Sequence, residues 1–283
     1  MRWISLALFA SLALLASPAA AQTDPAVKDF KRYFKKAKET VERVEFVRSL
    51  EKIDDPGVAK ELLKVLKDKE PAVAAAAAEV LAQLPSPEAR APMLEIVEKG
   101  KPAEQLGPIL RCAAKGKWEE FLPLLRPHLE HKEDGVRLWA VRAVGNMNDE
   151  ESLPQIVTLA GEDPNPLVRV AAIESIVQMG KPQLELCMPP LLAGLKDEDT
   201  SVQVASCLAF RTLRHKDAIP ALIDTWQNGE GLVLQHIYPT LLEITDLQFG
   251  ADAEQWGRWW ENAQERFEIP SDAKLAERRK LME

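Results

Sequence analysis

The stretch SLPQIVTLAGEDPNPLVRVAAIESIVQM (152–179) holds two apolar runs joined by a polar turn, each run opened by a proline, Pro154 and Pro166. Proline lacks an amide donor and clashes with the preceding turn, so it is tolerated at the start of a helix and not in its interior. Read that way, 152–179 is a short helix, a turn and a longer helix. The neighbouring run VRLWAVRAVGNM (136–147) supports the reading. Its Val136, Trp139, Ala140, Val141, Val144 and Met147 fall mostly at intervals of three and four, the spacing of one helix face, and VRVAAIESIVQM and VQVASCLAFRTL repeat the scheme.

The unit recurs along the chain. Pro92, Pro123, Pro154, Pro189 and Pro220 are spaced 31, 31, 35 and 31 residues apart. An apolar landmark follows each at 13 or 14 positions: Leu106, Val136, Val168, Val202 and Val233, with Val73 in the same series. The turns LKDKEPAV (66–73), LEHKEDGV (129–136), LKDEDTSV (195–202) and WQNGEGLV (226–233) share one design. Glu70, Glu133, Asn165, Asp199 and Glu230 precede the landmarks by three and stand where an N-cap or a dipole-matched acid belongs. Pro71 and Pro166 take the first helical position. Self-similarity at this period is the mark of a stacked array, and no alternating strand pattern competes. Six helix pairs are expected over 58–245. The weakest starts near Glu88, where Leu106-Gly107-Pro108 predicts a broken or shifted helix.

An Asp five before the landmark and an Arg directly after it complete the pattern. Asp163, Val168 and Arg169 show it in full; Asp68 with Val73, Val136 with Arg137, and Asp197 with Val202 show it in part. With the early proline, these residues make the array resemble the HEAT-repeat family in its short form of about thirty residues, shared with the HEAT-like repeats of phycobilisome lyases. The resemblance implies an all-α, right-handed α-solenoid of about six stacked pairs. It also implies that Asp68, Asp163, Asp197, Arg137 and Arg169 form a structural ladder between repeats.

The ends differ from the array. Residues 22–57 are expected to form a basic amphipathic cap, of one helix or more, with Phe30, Tyr33, Phe34, Ala37, Val41, Val44 and Val47 as its apolar stripe. An anionic-membrane helix is the rival reading. Residues 246–270 hold FGADAEQWGRWWEN (249–262), in which Trp256, Trp259 and Trp260 share a helix face behind an Asp252 N-cap. With Phe249 they resemble the Phe-Gly…Trp-x-x-Trp-Trp closing segment of exported bacterial HEAT-repeat proteins, which implies a packed structural cap. Residues 271–283 read as a charged tail. At the start, Arg2, the apolar run Ile4–Ala16 and SPAAA (17–21) have the form of a signal peptide cleaved after Ala21, which predicts export to the periplasm or beyond. No transmembrane segment is expected in the mature chain.

Chemistry is sparse. The net charge is −8, which argues against nucleic acid. Cys112, Cys187 and Cys207 lie in apolar patterns and read as buried hydrophobes, with a Cys187–Cys207 disulfide as the alternative. His128 and His131 could share a face at a surface helix end, but a zinc site needs a third or fourth ligand and none is indicated. No nucleophile elbow, phosphate loop or zinc helix motif is present. The expectation is therefore a chain that is not an enzyme, without catalytic residues, metal or cofactor. It would be an exported scaffold or adaptor that binds a protein or peptide on the concave face, of unspecified oligomeric state. The alternatives are a lyase-type enzyme or enzyme subunit of the HEAT-like kind, against which export and the missing acid–base constellation count, and a protein that holds anionic envelope surfaces through its N-terminal helix.

Overall fold

The computed structural model describes residues 24–101, 103–179 and 183–273. The signal segment 1–21 and residues 274–283 of the tail lie outside the described residues. The described chain contains fifteen α-helices and no strand. In order they are α1 (Pro25–Tyr33), α2 (Thr40–Arg48), α3 (Pro56–Val65), α4 (Pro71–Ala82), α5 (Pro87–Lys99) and α6 (Ala103–Gly116). The short α7 (Leu122–Leu125) lies between 3₁₀ turns at Glu119–Phe121 and Arg126–Glu130 and is followed by α8 (Asp134–Asn146). Then come α9 (Leu153–Glu162), α10 (Pro166–Met179), α11 (Leu184–Gly194), α12 (Thr200–Leu213), α13 (Ala218–Asn228), α14 (Leu234–Thr245) and α15 (Ala253–Ala263).

The helices stack in two layers. One runs α2, α4, α6, α8, α10, α12, α14, each packed on the next; in the other, α1 packs on α3, α3 on α5, α5 on α7 and α9 on α11. This is an all-α solenoid. The landmarks explain the layering, because Val73, Leu106, Val136, Val168, Val202 and Val233 are all buried where each second helix meets its neighbours. The caps explain the boundaries. Asp199 Oδ1 accepts the Ser201 N–H at 2.8 Å, Asn165 Oδ1 that of Leu167 at 2.8 Å, and Ser86 Oγ that of Ala89 at 3.1 Å. Gly145 marks a close helix approach: a Cβ there would sit 2.3 Å from Ser175 Oγ, so a side chain at 145 would force α8 and α10 to shift.

Several expectations change. Pro123, Pro154 and Pro220 fall in the first turn of α7, α9 and α13, but Pro92 and Pro189 lie inside α5 and α11. Those helices begin about a turn earlier, and for α5 the Ser86 cap and Pro87 already supply the start. Helix α6 runs unbroken through Gly107 and Pro108. Glu230 caps nothing, since α14 begins at Leu234 after Gly231 turns the chain at φ +83°. The caps expected of Glu70 and Glu133 make no side-chain bond to their helices. The N-terminal stripe divides between α1 and α2, which bury Val27, Phe30 and Val47 while Val41 is 71% exposed. A single helix could cover only one layer of the stack; two continue both.

At the other end α15 packs on α13. Asp252 Oδ1 caps it through the Gln255 N–H at 3.0 Å. Trp256 is fully buried and donates its indole N–H to the Gly250 carbonyl at 3.0 Å. Phe249 and Trp259 meet its ring edge-on or tilted, and Trp260 continues the cluster to Phe267. Beyond it, Arg214 binds the Pro270 carbonyl at 2.6 Å and the Asp272 carboxylate at 2.5 Å, which holds the start of the tail against the end of α12.

Candidate functional site

Three of the second helices carry an arginine at their fourth position. In α8 that residue is Arg137, which grips Asp163 of the next turn through Nε at 2.7 Å and Nη2 at 2.8 Å. In α10 it is Arg169, which reaches Asp197 at 2.6 Å and the Asp163 carbonyl at 2.8 Å. In α2 it is Arg43, which bonds Asp68. Each carboxylate also accepts the amide two residues on, at 3.1 Å for Asp68, 2.9 Å for Asp163 and 2.8 Å for Asp197. Arg137, Arg169, Asp163 and Asp197 are largely or wholly buried at the side chain. The Asp partners hold the Arg137 and Arg169 guanidiniums above their usual pKa, through the hydrogen bond first and charge second.

The series is interrupted at α4 and α6, where the fourth position is Ala74 and the equivalent landmark-plus-one position is Gly107. Their opposite numbers are altered too. Lys101 and His131 stand five before Leu106 and Val136, where Asp68, Asp163 and Asp197 stand before Val73, Val168 and Val202, and Asn228 before Val233. His131 keeps only the local half of the role, its Nδ1 accepting the Glu133 N–H at 3.1 Å.

Where those arginines are missing, α4, α6 and α8 leave a cleft of about 510 Å³. That volume is in the range of small-molecule sites, roughly 300–1,000 Å³. Ala74, Ala75, Ala78 and Pro108 give it an apolar lining, Trp139 stands on α8, and its ionisable groups are Glu104, Arg111 and Glu133. Glu104 is tied to Lys67 at 2.8 Å, a bond that lowers the pKa of its carboxyl. Two guanidiniums approach the one indole, Arg111 at 5.3 Å from the ring centroid and Arg142 at 5.2 Å. Arg142 has a carboxylate partner in Glu174 at 3.7 Å.

Neither Arg111 nor Trp139 stands out in the sequence as more than a helix residue. The signal that could have found them is the break in the Asp/Arg pattern at 74 and 107. The other candidates do not converge on the cleft. His128 is buried, not at the surface, with Nε2 3.2 Å from the Val97 carbonyl, and burial lowers its pKa. Cys112, Cys187 and Cys207 are free and buried. Burial pushes the Cys112 thiol up to about 12 and that of Cys207 to about 11, so both stay protonated and unreactive. Among the described residues no three His, Cys, Asp or Glu side chains are grouped to hold a metal ion. No helix there is long and apolar enough to cross a membrane.

Comparison with known proteins places this geometry in context. Residues 31–105 and 122–185 match the family model for HEAT repeats, the first segment reaching back into α1 and α2. The bilin biosynthesis protein RpcF of Synechococcus sp. (strain WH8020) is 30% identical over 92 residues, covering 30% of this chain and 44% of that protein. The chain thus spans less than half the length of that relative. Among solved structures, a designed armadillo repeat protein in complex with the peptide (KR)4 aligns at TM-score 0.48 and 16% identity, covering 65% of this chain and 98% of that one. The complex of CpcE and CpcF of phycocyanin lyase from Nostoc sp. PCC7120 aligns at TM-score 0.42 and 13% identity, covering 89% and 99%. The similarity to a biosynthesis protein overturns the expectation of a non-enzymatic scaffold or adaptor, and favours the lyase-type alternative. The chain contains HEAT repeats, matched over 31–105 and 122–185.

Proposed function

We propose that the chain is a lyase-type enzyme, or a subunit of one, whose substrate enters the cleft between α4, α6 and α8. The observation that carries this reading is the 30% identity to a bilin biosynthesis protein. The cleft supports it by offering an open and largely apolar volume with a few charged groups at its edge. A bilin is accordingly the substrate class to try first, alone and with a second protein chain that would complete the enzyme.

The test is to mix the purified chain with biliverdin and follow absorption and mass. A spectral change that survives denaturation marks a bond made or broken and supports the lyase. An unchanged spectrum at every concentration, both for the chain alone and with that second chain added, sinks it. Gly107→Arg is the control variant, because it sets an arginine where α8 and α10 carry Arg137 and Arg169 and so fills the cleft. A Cβ on Gly107 would lie 3.9 Å from Trp139 Cδ1, an ordinary contact, and leaving glycine favours the helix by up to about 1 kcal/mol. The variant should therefore keep its fold while bilin binding falls about a hundredfold, roughly the 2.7 kcal/mol expected if the apolar lining is no longer available.

We also propose that the protein acts after export, on the strength of the Ile4–Ala16 apolar run and the Ala-x-Ala ending at Ala21. N-terminal sequencing of the chain recovered from its own cells should read from Gln22. Recovery with residues 1–21 still attached would count against it.

A further inference from the structure

The interruption at Ala74 and Gly107 does more than open space; it also leaves that space without the Asp/Arg pair that neighbouring turns carry. At three other turns of the array a largely buried Asp faces an Arg from the preceding second helix, and the charges cancel; after α12 the same two positions hold the neutral Gln203 and Asn228. At the interruption the Arg positions hold Ala74 and Gly107, which line the cleft, and the Asp positions hold Lys101 and His131, which do not. Of the two acids on the lining, Glu104 is neutralised by Lys67, and Glu133 stands at the N-cap of α8. Arg111 therefore lines the cleft with no carboxylate in ion-pair range among the described residues, although Arg142 on the same indole has Glu174.

Trp139 gives the exposed Arg111 an aromatic face to lie over. A guanidinium held over an aromatic face uses its π surface there and keeps its in-plane N–H groups for another partner, in the fork that matches a carboxylate or a sulfonate. The apolar lining from Ala74, Ala75, Ala78 and Pro108 lies in the same cleft. We propose that the cleft is selective for an apolar ligand bearing an ionised acid group, which Arg111 binds while Trp139 positions the guanidinium and the Ala74–Ala78 face takes the apolar body. This rests on the proposed function only for the choice of site and assigns no residue to bond-making.

The probe pair that tests it is 8-anilinonaphthalene-1-sulfonate and its uncharged parent N-phenyl-1-naphthylamine, both read by fluorescence on the full chain. The sulfonate should bind the wild-type protein at least about tenfold more tightly than the parent, and more weakly as salt is raised. Arg111→Met, which keeps the aliphatic stem, should weaken the sulfonate about tenfold and leave the parent within about twofold; Arg111→Lys should restore most of the difference. Trp139→Leu should reduce the preference for the anion, while Gly107→Arg should displace both probes. Arg111→Met that leaves sulfonate binding within about twofold, or a wild-type protein that does not prefer the anion, overturns the proposal. Neither reading depends on biliverdin turnover, so a blank in the lyase test and a blank here are separate results.

Discussion

Trp256→Ala is expected to lower the unfolding free energy by about 3–5 kcal/mol, the usual cost of truncating a fully buried tryptophan. The side chain is completely buried under α15 and packs against Phe249 at 5.0 Å and Trp259 at 5.6 Å between ring centroids. Its loss removes the apolar area, the edge-to-face contacts and the hydrogen bond to the Gly250 carbonyl. The effect should also be directional. In a stacked array each unit is held mainly by its neighbours, so undocking α15 exposes α13 first. Denaturant unfolding measures the loss, and amide exchange should show α13 and α14 opening before α8 or α10. Trp256→Phe keeps one aromatic ring but loses the N–H and the rest of the indole, and should cost less than the alanine variant, about 1–3 kcal/mol. A cost below about 1 kcal/mol for the alanine variant would mean that the terminal helix is not a working cap.

Asp163→Ala should cost a similar amount, about 3–5 kcal/mol, for an electrostatic reason. Asp163 has a side chain only 1% exposed and takes two hydrogen bonds from Arg137 and one from the Asn165 amide. Without the carboxylate, the buried Arg137 guanidinium keeps the His131 and Lys132 carbonyls but has no counter-charge. The penalty comes from the stranded charge more than from the lost bonds, and a double-mutant cycle separates the two. In an Arg137→Met background the stranded charge is the Asp163 carboxylate itself. There Asp163→Ala removes that charge along with the cap on the Asn165 amide, and should cost no more than about 1 kcal/mol. Equal costs in both backgrounds would show that the pair is not coupled.

These two sites were legible to different degrees. Asp163 and Arg169 lie within one quoted stretch and share its full motif with Val168, so their importance could be read directly. The Trp cluster was legible as a helix face, but that Trp256 is the one wholly enclosed follows from where α15 lies on α13. Arg43 was missed because α2 has no early proline and its exposed Val41 disguises the pattern; only its bond to Asp68 shows that the N-terminal helices continue the stack. Pro92, Pro108 and Pro189 were misread because the local rule for proline omits what neighbouring helices can stabilise.

The sequence alone determined the helix pairs, their period, their buried landmarks and the Asp/Arg spacing. All of these rest on contacts within a turn or two of helix, or on a repeat that copies the same contact. It also contained the interruption at Ala74 and Gly107, but as two small residues 33 positions apart. Only the tertiary structure decided that they flank one cleft, that Arg111 and Trp139 share it, and that Glu104 is already engaged there. The reason is physical: a site in a solenoid is made between repeats, by how one helix lies on the next, and spacing along the chain specifies each helix without specifying what is left open between them.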